Sequence, residues 1–203
     1  ADYTKIDIGG SHLERQRLWN EIHEERKLFK STVQSNPADL TPFLLEVDEC
    51  EWHTSKNTQY ARHMDIERST AMLSMLQILM DHGIISPCPD AGHYSHAFLV
   101  PKPNGKWRLV LDFKNLNKAT TNTYKWPLPN IRDMLHRVGE SKPCYFAIFD
   151  LTSGYYQAPI TANARKYTAF ITKHGIYQWN RLPMGLTGAC SYFQHSLAME
   201  VLQ

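Results

Sequence analysis

The dipeptide Asn104-Gly105 limits what this chain can become more than any other feature. Asn and Gly tolerate the positive φ angles of a tight reversal, so the pair predicts a two-residue hairpin turn. The sequence on both sides agrees. His96 to Pro101 reads as a strand, and Lys106 to Phe113 alternates strictly. Trp107, Leu109, Leu111 and Phe113 share one face; Lys106, Arg108, Val110 and Asp112 share the other. One face packs, and the other presents cations. Between Leu99 and Lys125 stand six of them, Lys102, Lys106, Arg108, Lys114, Lys118 and Lys125, against the single acid Asp112. A stiff basic finger of this kind holds phosphates, Arg through a planar fork and Lys as a mobile point charge. A solvated basic hairpin is the plainer alternative.

The rest of the chain reads as α+β. Ser11-His12-Leu13-Glu14 is a capping box, and it opens a helix running to about Lys30 with Leu18, Ile22 and Phe29 on one face. Residues 31–65 lack a period and are broken at Asn36-Pro37 and Thr41-Pro42, which predicts a linker wrapping on a surface. Residues 66–82 predict a buried helix through Ile66, Met72, Leu73, Leu76, Leu79 and Met80, capped by Gly83. Pro129 predicts the first turn of a helix that runs to about Val138 and ends at Gly139. The run CYFAIFDL, residues 144–151, predicts a buried central strand that delivers Asp150 to its end. A second hairpin is predicted around His174-Gly175, and a helix after Gly188.

Charge is divided unevenly. Residues 1–70 hold 9 Lys/Arg and 13 Asp/Glu, a net of −4, and residues 71–203 hold 13 and 7, a net of +6. A polyanion therefore fits the second part. The four cysteines are far apart with no C-x-x-C pair, and the ten histidines show no metal-binding spacing. No stretch approaches the ~18 apolar residues of a membrane helix, so no membrane partner is expected. The chain begins at Ala1, and it is expected to be an internal piece of a longer polypeptide.

Three segments carry candidate chemistry. Asp150 ends its apolar run and is followed by Leu151-Thr152-Ser153-Gly154-Tyr155. That order offers a carboxylate for a metal, backbone N–H groups for an anion and an aromatic platform, the parts Mg²⁺-dependent nucleotidyl transfer uses. Taken alone, an Asp at a strand end is more often a turn cap. Arg181 to Gly188 is a two-glycine loop opening a helix, where backbone can approach a ligand closely.

In order, GIISPCPDAGHYSHAFLVPKPNGKWRLVLDFKNLNKAT, YKWPLPNIRDML, YFAIFDLTSGYYQAPI and KYTAFITKHGIYQWNRLPMGLTGACSYFQ resemble the reverse transcriptase of LTR retrotransposons, most of all the gypsy type. The resemblance covers about residues 60–203, and residues 1–60 resemble a variable extension. It implies an α+β right-hand polymerase fold, fingers and part of the palm, truncated before the second catalytic motif. It implies RNA-directed DNA polymerase activity in the intact parent, with two Mg²⁺ ions, a primed RNA or DNA template and deoxynucleoside triphosphates. Further implied partners are the rest of the palm, the thumb and ribonuclease H of the polyprotein.

Residue by residue, the resemblance makes Asp150 the first of three catalytic carboxylates, with the Leu151 carbonyl as a further metal ligand. Lys102 and Arg108 grip the triphosphate. Ser153 and Gly154 offer it N–H groups, and Tyr155 lies under the sugar. Met184 and Gly185 flank nucleotide and template. Asp112, Lys114 and Asn117 match a framework that orients the hairpin. Met184 stands where Phe or Gln is usual, Cys190 where Pro is, and Pro103 where Lys is frequent at the fingertip. The family's aromatic-x-Asp-Asp motif is expected about two dozen residues past Phe193-Gln194, and no Asp-Asp pair occurs in the chain. These 203 residues alone are therefore expected to be inactive. A non-catalytic nucleic-acid-binding remnant is the alternative. The parent is expected to work inside the cell, in a cytoplasmic particle or the nucleus.

Overall fold

A computed structural model describes residues 6–54, 57–103 and 105–202. The chain divides into two units, residues 1–33 with 128–154, and residues 34–127 with 155–203.

In the first unit, the capping box opens α1 (His12–Glu24): Ser11 N–H donates to Glu14 Oε2 at 2.8 Å, and Glu14 N–H donates to Ser11 Oγ at 3.4 Å. The Tyr145 hydroxyl also donates to Glu14, at 3.0 Å. The helix stops at Glu24 rather than near Lys30, and a 3-10 turn over Arg26–Leu28 follows, so Phe29 is not on its face. Leu18, Ile22 and Phe29 nevertheless line one apolar cavity of about 680 Å³ together with Ile6, Ile8, Phe146 and Ile148.

The second unit holds α2 (Glu49–Thr54), α3 (Ile66–Asp81), β1 (Ile85–Pro87), β2 (Ser95–Pro101), β3 (Trp107–Asp112) and α4 (Lys114–Ala119). α5 (Ile131–Ser141) returns to the first unit, and α6 (Gly154–Gln157) follows. α7 (Ala162–Arg165), β4 (Phe170–Thr172), β5 (Gly175–Trp179) and α8 (Ala189–Ser196) complete the second. Its five-stranded sheet has the order β1-β5-β4-β2-β3. Among the pairings of the described strands, only β2–β4 is parallel. No helix among the described residues is long and apolar enough to cross a membrane.

Local chemistry explains why α3 starts and stops. Asp65 accepts from Arg68 N–H at 2.7 Å and caps its N-terminus. At the other end Gly83 takes φ +63°, its N–H bonds Met80 O, and Ile84 N–H bonds Leu79 O. This pair of bonds closes the helix on its own carbonyls. The buried stripe is Ser69, Met72, Leu76 and Leu79; Ile66 and Leu73, predicted to join it, face solvent.

Four further predictions are corrected. First, residues 31–65 do not simply wrap a surface. Phe43, Leu45 and Trp52 are buried, and Phe43 forms a parallel bridge to Ile160. Isolated bridges anchor them, and such contacts leave no period in sequence. Second, α5 begins at Ile131 behind the cap Asn130, runs through Gly139 and stops where Lys142 turns left-handed at φ +43°. Third, the first hairpin turn is wider than two residues. Lys102 N–H bonds Lys106 O, Gly105 N–H bonds Lys102 O, and Gly105 takes φ +72°. Asn104 itself lies outside the described residues. Fourth, residues 144–151 form no strand. Phe146 is 75% exposed and Ile148 94%. A central strand needs a ladder on each edge, and none of the described strands pairs with this run.

Candidate functional site

The predicted site residues fall into two groups, one in each unit. Lys102, Arg108, Tyr155, Met184 and Gly185 belong to the second unit; Asp150, Leu151, Ser153 and Gly154 belong to the first.

The second unit builds its group on the β2–β3 hairpin. In the antiparallel register Val100 faces Arg108, Phe98 faces Val110 and His96 faces Asp112. Residues opposite one another share a face, so Arg108 lies on the half-open side and Ala97, Leu99, Leu109 and Leu111 on the packed side. Arg62 braces the half-open side, with Nη2 3.6 Å from Asp112 Oδ2 and its guanidinium 5.2 Å from the Phe98 ring centroid. Arg68 of α3 sits 5.4 Å over Trp107 and braces the other face. Lys102 lies at the turn and Arg108 stands exposed one strand position beyond Trp107. The Arg108 charge reaches Tyr156: burial raises that phenol above its usual range, and Arg108 offsets part of the rise.

The loop at residues 181–188 is held from α4. Asn117 Nδ2 donates to Gly185 O at 2.8 Å, and Thr187 N–H donates to Asn117 Oδ1 at 2.8 Å. One amide side chain thus fixes both sides of the turn. Gly185 takes φ +97°, and Met184 is 53% exposed beside it. Gly188 takes φ +79°, and a Cβ there would lie 3.2 Å from Tyr124 N, so both the backbone conformation and the tight approach favour glycine. Tyr155 stacks on Phe193 of α8, with centroids 5.0 Å apart and planes at 14°. Burial chiefly, and a hydrogen bond to Cys190, raise its phenol above the usual range.

In the first unit Asp150 ends its exposed run, and the chain then turns. Gly154 N–H donates to Leu151 O at 3.1 Å, and Ser153 takes φ +48°, a left-handed conformation unusual for a residue with a Cβ. The Gly154 donor is therefore spent inside the turn. Thr152 Oγ1 donates to Lys30 O at 2.7 Å and ties the turn to the end of the α1 region. Among the described residues no three His, Cys, Asp or Glu side chains gather to hold a metal ion. One carboxylate beside a carbonyl already used in a turn does not fit a pair of Mg²⁺ ions, which need several anionic oxygens to offset their mutual repulsion.

Asn117, expected to orient the hairpin, instead grips residues 185 and 187, a role that leaves no local signal in sequence. Two further residues escape sequence reasoning. Phe193 lies within a quoted block, and only the fold shows its ring under Tyr155. Arg62 sits in the segment taken as a linker.

This half-open basic hairpin, with a glycine loop clamped behind it, is the fingers arrangement of a right-hand polymerase. Residues 100–202, half of the chain, match the family model described as Reverse transcriptase (RNA-dependent DNA polymerase). The chain belongs to that family. It is 36% identical over 143 residues to the retrovirus-related Pol polyprotein from transposon 412 of Drosophila melanogaster, which covers 68% of this chain and 11% of that protein. It is 37% identical over 123 residues to the enzymatic polyprotein of cauliflower mosaic virus (strain Strasbourg), covering 59% of this chain and 18% of that protein. The chain thus spans between about a tenth and a fifth of the length of these curated relatives. Among solved structures, the protease-reverse transcriptase of prototype foamy virus superposes with a TM-score of 0.72 at 20% identity, over 97% of this chain and 25% of that one. The foamy viral protease-reverse transcriptase in complex with an RNA/DNA hybrid gives 0.70 at 18%, again over 97% and 25%. At that identity the likeness shows the fold, a mixed α+β fingers and partial palm.

Proposed function

We propose that this chain supplies the fingers and first part of the palm of an RNA-directed DNA polymerase in a gypsy-type element. Within that reading residues 61–203 form the polymerase portion and residues 1–60 an extension. The observation that carries it is the hairpin, which holds Arg108 on a braced, half-open face with Lys102 at its turn, together with the Asn117-clamped loop. Lys102 and Arg108 would grip the triphosphate, Tyr155 would support the sugar from its stack on Phe193, and Met184 and Gly185 would flank the base pair. Ser153 and Gly154 would lie beside the phosphates, and Gly154 would need its turn to open before it could donate. Asp150 would be one carboxylate of the metal site, with the Leu151 carbonyl beside it. The two Mg²⁺ ions would need further carboxylates from the longer polypeptide. Deoxynucleoside triphosphates, a primed template and the remaining palm, thumb and ribonuclease H are the partners, and the setting is intracellular, a cytoplasmic particle or the nucleus.

Primer extension tests this directly. With Mg²⁺ and a homopolymer template the 203-residue chain should incorporate nothing above a no-enzyme control. A polypeptide continuing past Gln203 into a second carboxylate motif should incorporate nucleotide. In that longer protein Asp150→Asn should lower the rate on the order of a thousandfold, since a bound metal contributes several kcal/mol and each 1.36 is tenfold. Full activity of Asp150→Asn would sink the reading.

A further inference from the structure

Away from the hairpin and its loop, α7 and β5 border an open polar cleft of about 660 Å³, lined by Ala162, Asn163, Arg165, Lys166, Tyr167 and Gln178. Its cations outnumber its acids. Glu49 accepts from Lys166 Nζ at 2.8 Å and from the Tyr167 hydroxyl at 2.5 Å, so the Lys166 charge is already matched. Arg165 makes no salt bridge among the described residues, and its Nε is enclosed with no hydrogen-bond partner. A second guanidinium, that of Arg181, feels the Arg165 charge and is only 4% exposed. Arg181 donates to the carbonyls of Tyr156 and Ser35 and to no carboxylate among the described residues. Burial chiefly, and the Arg165 charge after it, loosen its hold on its proton. Two neighbouring guanidiniums without a counter-ion repel each other, and buried charge is costly until it is paired.

We propose that this cleft is a binding site for a phosphate group, held by the Arg165 guanidinium with Asn163 and Gln178 as neutral donors. A guanidinium presents two parallel N–H bonds that match two phosphate oxygens. Asn and Gln side chains each supply donors without adding charge. The incoming anion relieves the repulsion between Arg165 and Arg181, whereas an apolar or cationic ligand leaves it in place. The phosphate comes either from a nucleic-acid backbone or from free phosphate, and the chemistry of the cleft is the same for both. This inference is independent of the nucleotidyl-transfer reading, because no residue of that site takes part.

The test is a titration of the whole chain followed by ¹H–¹⁵N NMR, at constant ionic strength, with inorganic phosphate in one arm and a short oligothymidylate in the other. Saturable shifts are expected at the amides of Asn163, Lys166 and Gln178 and at the Arg165 Nε–H. Arg165→Gln should weaken binding about tenfold, the loss of roughly one charge-assisted contact. Gln178→Ala, which leaves every charge in place, should weaken it less. Saturation by the oligonucleotide at the lower concentration assigns the phosphate to a strand; the reverse order assigns it to the free ion. Either result supports the site. Absence of saturable shifts with both probes overturns it, as does unchanged affinity in a folded Arg165→Gln protein. Should Arg165→Gln fail to fold, unchanged affinity in Gln178→Ala overturns it instead.

Discussion

The strands β4 and β5 and the run at residues 144–151 are alike in sequence: short, apolar and aromatic. The fold treats them oppositely. β4 lies between β5 and β2, and β5 between β4 and β1, so both edges of each strand are hydrogen-bonded. Phe170 and Trp179 are then 0% and 1% exposed. The other run pairs with none of the described strands, and its side chains stay largely in solvent. Apolar side chains give a segment the faces of a core strand, while its edges depend on partners elsewhere. Burial follows when both are supplied.

Truncation should expose the contrast most strongly. Trp179→Ala should cost about 3–5 kcal/mol in urea unfolding, because the indole is fully buried against Phe170 and Tyr156. Ile148→Ala should stay within about 0.5 kcal/mol. Equal losses would erase the distinction. Asn117→Ala comes next, at about 1–3 kcal/mol, since it strands a donor and an acceptor of the 185–187 loop. Hydrogen exchange sharpens the comparison without mutation. Amides at residues 145–149 should exchange near the unprotected rate while those of β4 and β5 stay protected. Protection of both would mean that the run has found a partner. Ile148→Lys should leave stability unchanged and reduce association in light scattering, because it breaks an exposed apolar patch.

The smallest effect belongs to pH. Glu49 is held down to about 2 by hydrogen bonds from Lys166 and Tyr167 and by the Lys166 charge. A carboxylate lowered in the folded state stabilises above its unfolded value and loses that contribution as pH falls through the folded one. The melting-temperature advantage of wild type over Glu49→Gln should therefore be present near neutrality and shrink between about pH 4.5 and pH 2. A constant difference across that window would remove Glu49 from the account.

Much of the second unit was legible because its signals are local. Alternation marked β3, Asp65 and Gly83 bracketed α3, and His174-Gly175 marked the β4–β5 turn. What escaped the sequence depends on distant partners. The buried role of Phe43 comes from a bridge to Ile160, and the Asn117 clamp from residues about seventy positions away. Gly139 looked like a stop, yet α5 passes through it because no proline or left-handed turn follows until Lys142. The order of the candidate site residues could be read from the sequence; the spending of the Gly154 donor inside its own turn could not.

The Asn117 clamp also has a thermodynamic side. Asn117 sits on α4, which begins two residues after β3 ends, so the root of the hairpin and the glycine loop share one side chain. A ligand that draws the hairpin forward then strains or relaxes the loop, and whatever occupies the loop acts back on the hairpin. Such coupling is reciprocal: the factor by which one occupant alters the other's affinity is the same in both directions. Asn117→Ala should abolish that coupling, bringing the factor to about one in both directions, even where each site still binds.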